Sequence, residues 1–163
     1  MNRTYYSWIE SPVGGLLLAG SDAGLKLVSF SAGKRSQSVD GHWLEDHSAF
    51  TEVVKQLTAY FAGERKEFDL PLVLEGTEFQ KRVWTALQNI PYGETVSYKA
   101  LAERIGSPRA VRAVGAANGA NPIPIIIPCH RVIGNDGSLT GFGGGLPVKK
   151  KLLELESRQL TLL

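Results

Sequence analysis

Short apolar or alternating runs open the chain. "RTYYSWIES", "GGLLLAGSD" and "GLKLVSFS", within residues 3–31, are separated by Pro-Val-Gly-Gly and Asp-Ala-Gly turn signals. Such runs predict three β-strands. "SAGKRSQSVDGHWLEDHS" (31–48) is polar and has no period, so it reads as a loop. The pattern then changes: Phe50, Val53, Val54, Leu57, Tyr60 and Phe61 recur at helical spacing, and Gly63 follows as a stop. "KEFDLPLVLEG" (66–76) reads as an extended connection, broken by Pro71 and ended by Gly76.

From residue 77 onward helical periods dominate. Thr77 with Gln80 in "TEFQ" has the form of a capping box, and "FQKRVWTALQNI" continues it with apolar residues on one face. "IPYGETVS" is a turn, and "SYKALAERIG" is a short helix closed by Gly106. Ser107-Pro108 supplies an N-cap and a first-turn proline for a second helix, "RAVRAVGAANG". Two short helices joined through a glycine form a helix-turn-helix candidate. Three prolines keep "ANPIPIIIPC" from being helical. "GNDGSLTGFGGGLP" is a loop or hairpin, after which Pro147 opens a last amphipathic helix, "VKKKLLELES". The break at 76/77 divides the chain into an α/β domain (1–76) and a mainly helical domain (77–163).

Composition narrows the classes. A chain of 163 residues that is 43% hydrophobic is large enough for a real core. No apolar run approaches membrane-spanning length, and the N-terminus lacks a secretory h-region, so a cytoplasmic protein with no membrane partner is expected. One cysteine among 163 residues excludes an internal disulfide, and no Cys/His cluster suggests a metal. Acidic residues are in excess over 1–77 and basic ones over 78–163, within a net charge of +2. That asymmetry suits either an anionic partner for the second half or solubility alone. The second helix of the pair is built from Ala, Gly and Val, with Arg109 and Arg112 projecting from it. A face of small residues permits close approach, either to a nucleic-acid groove or to the domain's own core.

The lone thiol, Cys129 in "IIIPCHRVIG", stands beside His130 and Arg131. An isolated cysteine is most often a small buried hydrophobe, but here a potential base is adjacent. "NPIPIIIPCHRVIG", with "IPYGETVSY", "RAVGAANGANP" and "LTGFGGG…KKKLLELE", resembles the O6-alkylguanine-DNA alkyltransferases, in order and spacing, through most of residues 77–157. The resemblance implies an RNase H-like N-terminal domain, with an antiparallel sheet and a helix, and a C-terminal domain bearing a winged helix-turn-helix. It implies single-turnover transfer of a methyl or small alkyl group from O6-alkylguanine, and secondarily O4-alkylthymine, in double-stranded DNA to Cys129. The base would be flipped from the minor-groove side.

By the same resemblance, His130 would act through water as the base and Glu156 would orient it. Tyr98 would crowd the target phosphate and assist the leaving base, and Asn121 would be the hinge. Arg112 would fill the vacated stack, with Arg109, Ala110, Ala113 and Gly115 forming the rest of the DNA-binding face. Val132, Phe142 and Gly143 would hold the flipped base. No cofactor or metal is implied, and the protein would be a monomer that can cluster on DNA. Phe142 and Val111 depart from the Tyr and Ala common at those places in the family. Arg131 reads as scaffold, Lys149 to Lys151 as a solvated helix face, and Trp8, Trp43 and Trp84 as packing. Two rivals stand beside this reading: a non-catalytic binder of alkylated DNA, which would lack the cysteine, and a winged-helix regulator with an incidental thiol.

Overall fold

The structure, a computed structural model, describes residues 3–31 and 38–161, with the backbone alone over 158–161. Residues 32–37 of the expected loop lie outside the described residues. The three apolar runs fold as β1 (Tyr5–Ile9), β2 (Leu16–Ser21) and β3 (Gly24–Phe30), antiparallel neighbours in the order β3-β2-β1-β4. The fourth strand, β4 (Leu44–Glu45), pairs parallel with β1. In β2, Leu16, Leu17 and Leu18 are all fully buried, so this strand is covered on both faces.

The segment expected to be merely extended also docks on the sheet. Leu25 N–H donates to Pro71 O (2.9 Å) and Val73 N–H to Leu25 O (2.8 Å). That approach requires Gly24, because a Cβ there would stand 2.5 Å from the Pro71 carbonyl oxygen. The helix α1 (Thr51–Phe61) buries Val53, Gln56, Leu57 and Tyr60 along one face. A 3₁₀ turn, His47–Phe50, leads into it and is capped by the Asp46 side chain. Of the three tryptophans only Trp84 is deeply buried. Trp43 lies against Tyr6, and Trp8 is 48% exposed, which corrects its assignment to packing. Trp8 lies in β1, a strand with both buried and exposed positions.

The second half begins with α2 (Glu78–Leu87), whose capping box of Thr77 and Gln80 forms in both directions. Ser97 caps α3 (Tyr98–Arg104). The following helix, α4 (Val111–Gly119), starts later than Ser107-Pro108 predicts, with Ala110 as its N-cap. The reason is that α3 uses Ser107 for its own ending. Gly106 N–H bonds Glu103 O and Ser107 N–H bonds Ala102 O, a Schellman pair with Gly106 in the left-handed region.

After α4, residues 121–128 make tight turns rather than a helix, with Ile127 N–H on Ile123 O (2.9 Å). Ile125 takes φ = 74°, a costly conformation for a β-branched residue. Burial of Ile123, Ile125 and Ile127, each at most 1% exposed, holds it there. The chain then passes through a 3₁₀ turn, Cys129–Arg131, into β6 (Val132–Ile133), which pairs parallel with β5 (Val96–Ser97). The last helix, α5 (Leu146–Thr161), lies across this turn. The two halves share one core, and Val28 N–H of β3 donates to Pro122 O (3.0 Å). No helix among the described residues is long and apolar enough to cross a membrane.

Candidate active site around Cys129

Cys129 opens its 3₁₀ turn 5% exposed, with its N–H on Ile127 O (2.8 Å). It lies on the wall of a cavity of about 400 Å³ between β3, the end of α4 and the loop before α5. Burial pushes the thiol up to about 11, although a hydrogen bond with Asn121 and the nearby Lys149 ammonium both act in the opposite direction. At rest the sulfur is therefore a thiol, and a base is needed before it can attack.

The adjacent residues supply one. Glu156 of α5 is fully buried and takes five hydrogen bonds. Oε1 accepts from Arg131 Nε (2.8 Å) and Gly93 N–H (3.2 Å). Oε2 accepts from His130 Nε2 (2.7 Å), Arg131 Nη2 (3.0 Å) and the Tyr60 hydroxyl (2.6 Å). Burial alone would raise its pKa, but His130 and Arg131 hold it far below the usual carboxylate range. A carboxylate can only accept, so Nε2 carries the imidazole proton in this network and Nδ1 keeps its lone pair. Nδ1 is buried and bonds no protein atom. Burial lowers the His130 pKa below its ordinary value despite Glu156, so the ring is neutral at pH 7. A neutral imidazole with a free, buried Nδ1, on the residue that follows Cys129, is equipped to receive a proton.

The scaffold around the pair is built from several elements. Arg131 spans Glu156 and Ile90 O (2.7 Å), matching the structural part expected of it. Asn121 clamps its own turn: Nδ2 donates to Ile127 O (2.8 Å) and Oδ1 accepts from Ile123 N–H (3.0 Å). Lys149 overturns the expectation of a solvated face. It is fully buried, and Nζ donates to Val132 O (2.6 Å) and Thr140 O (2.8 Å), tying β6 to the loop. Lys149 shares its helix face with Leu152 and Glu156, at i, i+3 and i+7, and that spacing was the available signal. Lys150 and Lys151 are exposed.

Of the remaining expected residues, some line this cavity, some lie on the outer surface, and Val132 is in neither place. Phe142 and Gly143 line the cavity, and the Phe142 ring packs 5.5 Å from Phe30 of β3. Val132 is wholly buried, and its carbonyl is engaged by Lys149. Tyr98, at the start of α3, accepts a hydrogen bond from Thr140 Oγ1 (3.2 Å) and lies outside the cavity lining. Gly115 faces the Tyr98 ring, where a Cβ would sit at 3.8 Å. Arg109, Arg112 and Ala113 are exposed, whereas Ala110 is half-buried. Because Val114, Ala117 and Asn118 are buried, the small residues of α4 serve both the core and an open face. Two features escaped the sequence reading: Tyr60, which reaches Glu156 from α1, and Asn118 of the cavity wall, whose buried Oδ1 has no protein partner. Among the described residues no cluster of His, Cys, Asp or Glu is suited to a metal ion.

Comparisons with known proteins agree across most of the chain. Residues 4–74 match the family model for the ribonuclease-like domain of 6-O-methylguanine DNA methyltransferase, and residues 78–158 match the model for its DNA binding domain. A methylated-DNA–protein-cysteine methyltransferase of Methanosarcina barkeri is 56% identical over 156 residues, covering 96% of this chain and 99% of the relative. The crystal structure of Mycobacterium tuberculosis OGT in complex with DNA superposes with a TM-score of 0.89 at 54% identity, covering 95% of this chain and 94% of that one. The O6-methylguanine-DNA methyltransferase of Pyrococcus kodakaraensis gives a TM-score of 0.65 at 26% identity, over 94% of this chain and 98% of that one.

Proposed function

The chain belongs to the 6-O-methylguanine DNA methyltransferase family, and from that premise we propose that it repairs alkylated DNA by direct reversal with Cys129 as the acceptor. The observation that carries the assignment is the buried His130–Glu156 pair, 2.7 Å apart, whose free Nδ1 belongs to the residue next to the only thiol. The Cys129 proton passes through water to His130 Nδ1, and Glu156 stabilises the imidazolium that forms. The thiolate attacks the alkyl carbon in line, the S–C bond forms as the C–O6 bond breaks, and the departing guanine is reprotonated. The thioether is not hydrolysed, so each molecule acts once. Nothing in this sequence requires a cofactor or metal.

The target must leave the helix, because O6 within a duplex cannot meet a recessed sulfur. Extrusion costs a few kcal/mol, less where pairing is already damaged. The open face of α4 enters the minor groove, with Ala113 allowing close approach, Arg109 and Ala110 at its edge, and Arg112 filling the emptied stack. Tyr98 crowds the target phosphate. Asn121 holds the turn that joins the helix pair to Cys129, while Gly143, Phe142 and the Val132 main chain bound the pocket for the base. Gly115 belongs to the same DNA-binding face, next to the Tyr98 ring. The DNA complex of the Mycobacterium tuberculosis relative supports this partner. The reading extends to O4-alkylthymine as a secondary substrate and to division of the chain into domains at 76/77. It further includes a monomer that can cluster along DNA, working in the cytoplasm, where a single thiol stays reduced.

Intact-mass analysis after incubation with an O6-methylguanine duplex tests the reading. We expect a stoichiometric gain of one methyl, absent in Cys129→Ala. Binding of damaged DNA with no gain in mass would favour the non-catalytic rival.

A further inference from the structure

The Tyr60 hydroxyl is separated from Glu156 by 96 positions in the chain, yet it makes a 2.6 Å bond to Oε2, the oxygen that His130 also uses. Tyr60 is fully buried, and its ring is fixed by Phe61, Phe68 and Tyr92 at centroid distances of 5.3, 5.4 and 6.1 Å. Burial, then the Glu156 charge, raises its pKa far above the ordinary phenol value, so it remains a donor at every working pH. A buried tyrosine hydroxyl usually finds a hydrogen-bond partner. What distinguishes this one is its choice of atom: a carboxylate oxygen offers about two lone-pair positions, and Oε2 already serves His130 and Arg131.

We propose that Tyr60 is a positioning residue of the alkyl-transfer site, through which the N-terminal half holds Glu156 and sets the orientation and basicity of His130. The proposal rests on the reading of Cys129 as the acceptor and extends it to α1, an element outside the C-terminal half. A phenol that donates to Oε2 withdraws negative charge from the side facing the imidazole. His130 is then held firmly in its Nε2–H form without being drawn into the charged form, which could not act as a base. The other charged groups facing His130 are Arg131 of its own turn and Lys149 of α5, and both oppose its protonation. Tyr92, beside Arg131, is a further neighbour of the carboxylate. Among these groups Tyr60 is the one that shares the histidine's oxygen from the N-terminal half.

Tyr60→Phe keeps the ring and removes the donor. Loss of the bond concentrates charge on Oε2 and stabilises the imidazolium. The acidic limb of the methyl-transfer rate against pH should therefore move upward by roughly half a unit to one unit. Site-specific 3-fluorotyrosine at position 60, of nearly the same shape but a stronger donor, should move the limb the opposite way. Rates are read as mass gain on an O6-methylguanine duplex, alongside thermal unfolding. A lower melting temperature with an unmoved limb in Tyr60→Phe makes the residue purely structural and overturns the proposal. If that variant does not fold, the fluorotyrosine protein decides the matter, and an unmoved or upward-moving limb there overturns it equally. Absence of methyl transfer by the unaltered protein would instead sink the repair reading itself.

Discussion

Replacing Glu156 with Gln removes one charge from the most densely bonded carboxylate in the site while keeping its shape. Arg131, 5% exposed, would retain Ile90 O and one amide oxygen but lose its counter-charge. The amide NH₂ would meet donors where an acceptor stood. Breaking a buried pair by removing one partner costs about 3–5 kcal/mol, and the retained oxygen places this variant at the lower end, near 3 kcal/mol. For a chain of this length that corresponds to a fall in melting temperature of roughly 6–12 °C.

The sign of the pH dependence follows from the depressed pKa of Glu156. Its stabilisation is fully present above the unfolded carboxyl pKa of about 4.3 and is lost as pH falls toward the folded value. Thermal unfolding of both proteins from about pH 7 to pH 3 should show a gap that narrows below about pH 4. His130, whose folded pKa is lowered, destabilises both proteins as pH falls through about 6.5. It does so more in the variant, which lacks Glu156, so the gap widens slightly before it closes. A gap under about 1 kcal/mol at pH 7, or one that stays constant down to pH 3, would refute the account of the carboxylate as an ionised anchor.

Other perturbations probe other parts of the design. Lys149→Met leaves the Val132 and Thr140 carbonyls without their donor, and we expect a loss of about 1–3 kcal/mol with faster proteolysis of the 134–145 loop. Gly144→Ala would place a Cβ 2.6 Å from the Phe30 ring, so loop and sheet must part. A stability loss of about 1–3 kcal/mol and slower methyl transfer should be measurable. Arg112→Ala should slow repair of duplex DNA while reaction with the free base changes little, and equal losses on both would remove its part in base extrusion. Thr77→Ala should lower stability by about 1 kcal/mol, seen by denaturant titration, with the transfer rate unaffected.

Much of the fold was legible because local rules and tertiary packing agree. Short apolar or alternating runs between turn signals marked β1 to β3, the 3.6-residue period marked α1 and α2, and Thr77 with Gln80 marked a helix start. Where two local rules competed, the sequence misled: Ser107-Pro108 has the form of a helix opening, but a left-handed glycine just before it made Ser107 the end of α3. The two-residue strands β4, β5 and β6 carry no periodic signal, since each exists only through its partner. The Cys-His-Glu set was readable through motif resemblance, and of it the structure shows the 2.7 Å bond between His130 and Glu156. Lys149 was misread because charge outweighed helix position, although its register with Leu152 and Glu156 faces it inward. Tyr60 looked like an ordinary core aromatic, and no local pattern specifies a hydrogen bond to a partner 96 positions away.

The recessed, protonated state of Cys129 bears on the life of a protein that reacts only once. Every molecule modified by peroxide or a stray electrophile is a molecule subtracted from the stock available for lesions. A neutral thiol shielded from solvent reacts slowly with both, because thiolate character and access govern oxidation. Ordinary thiol scavengers depend on being ionised and exposed. Recessed and neutral, this sulfur is a poor target for either reagent, so the supply declines with DNA damage more than with time.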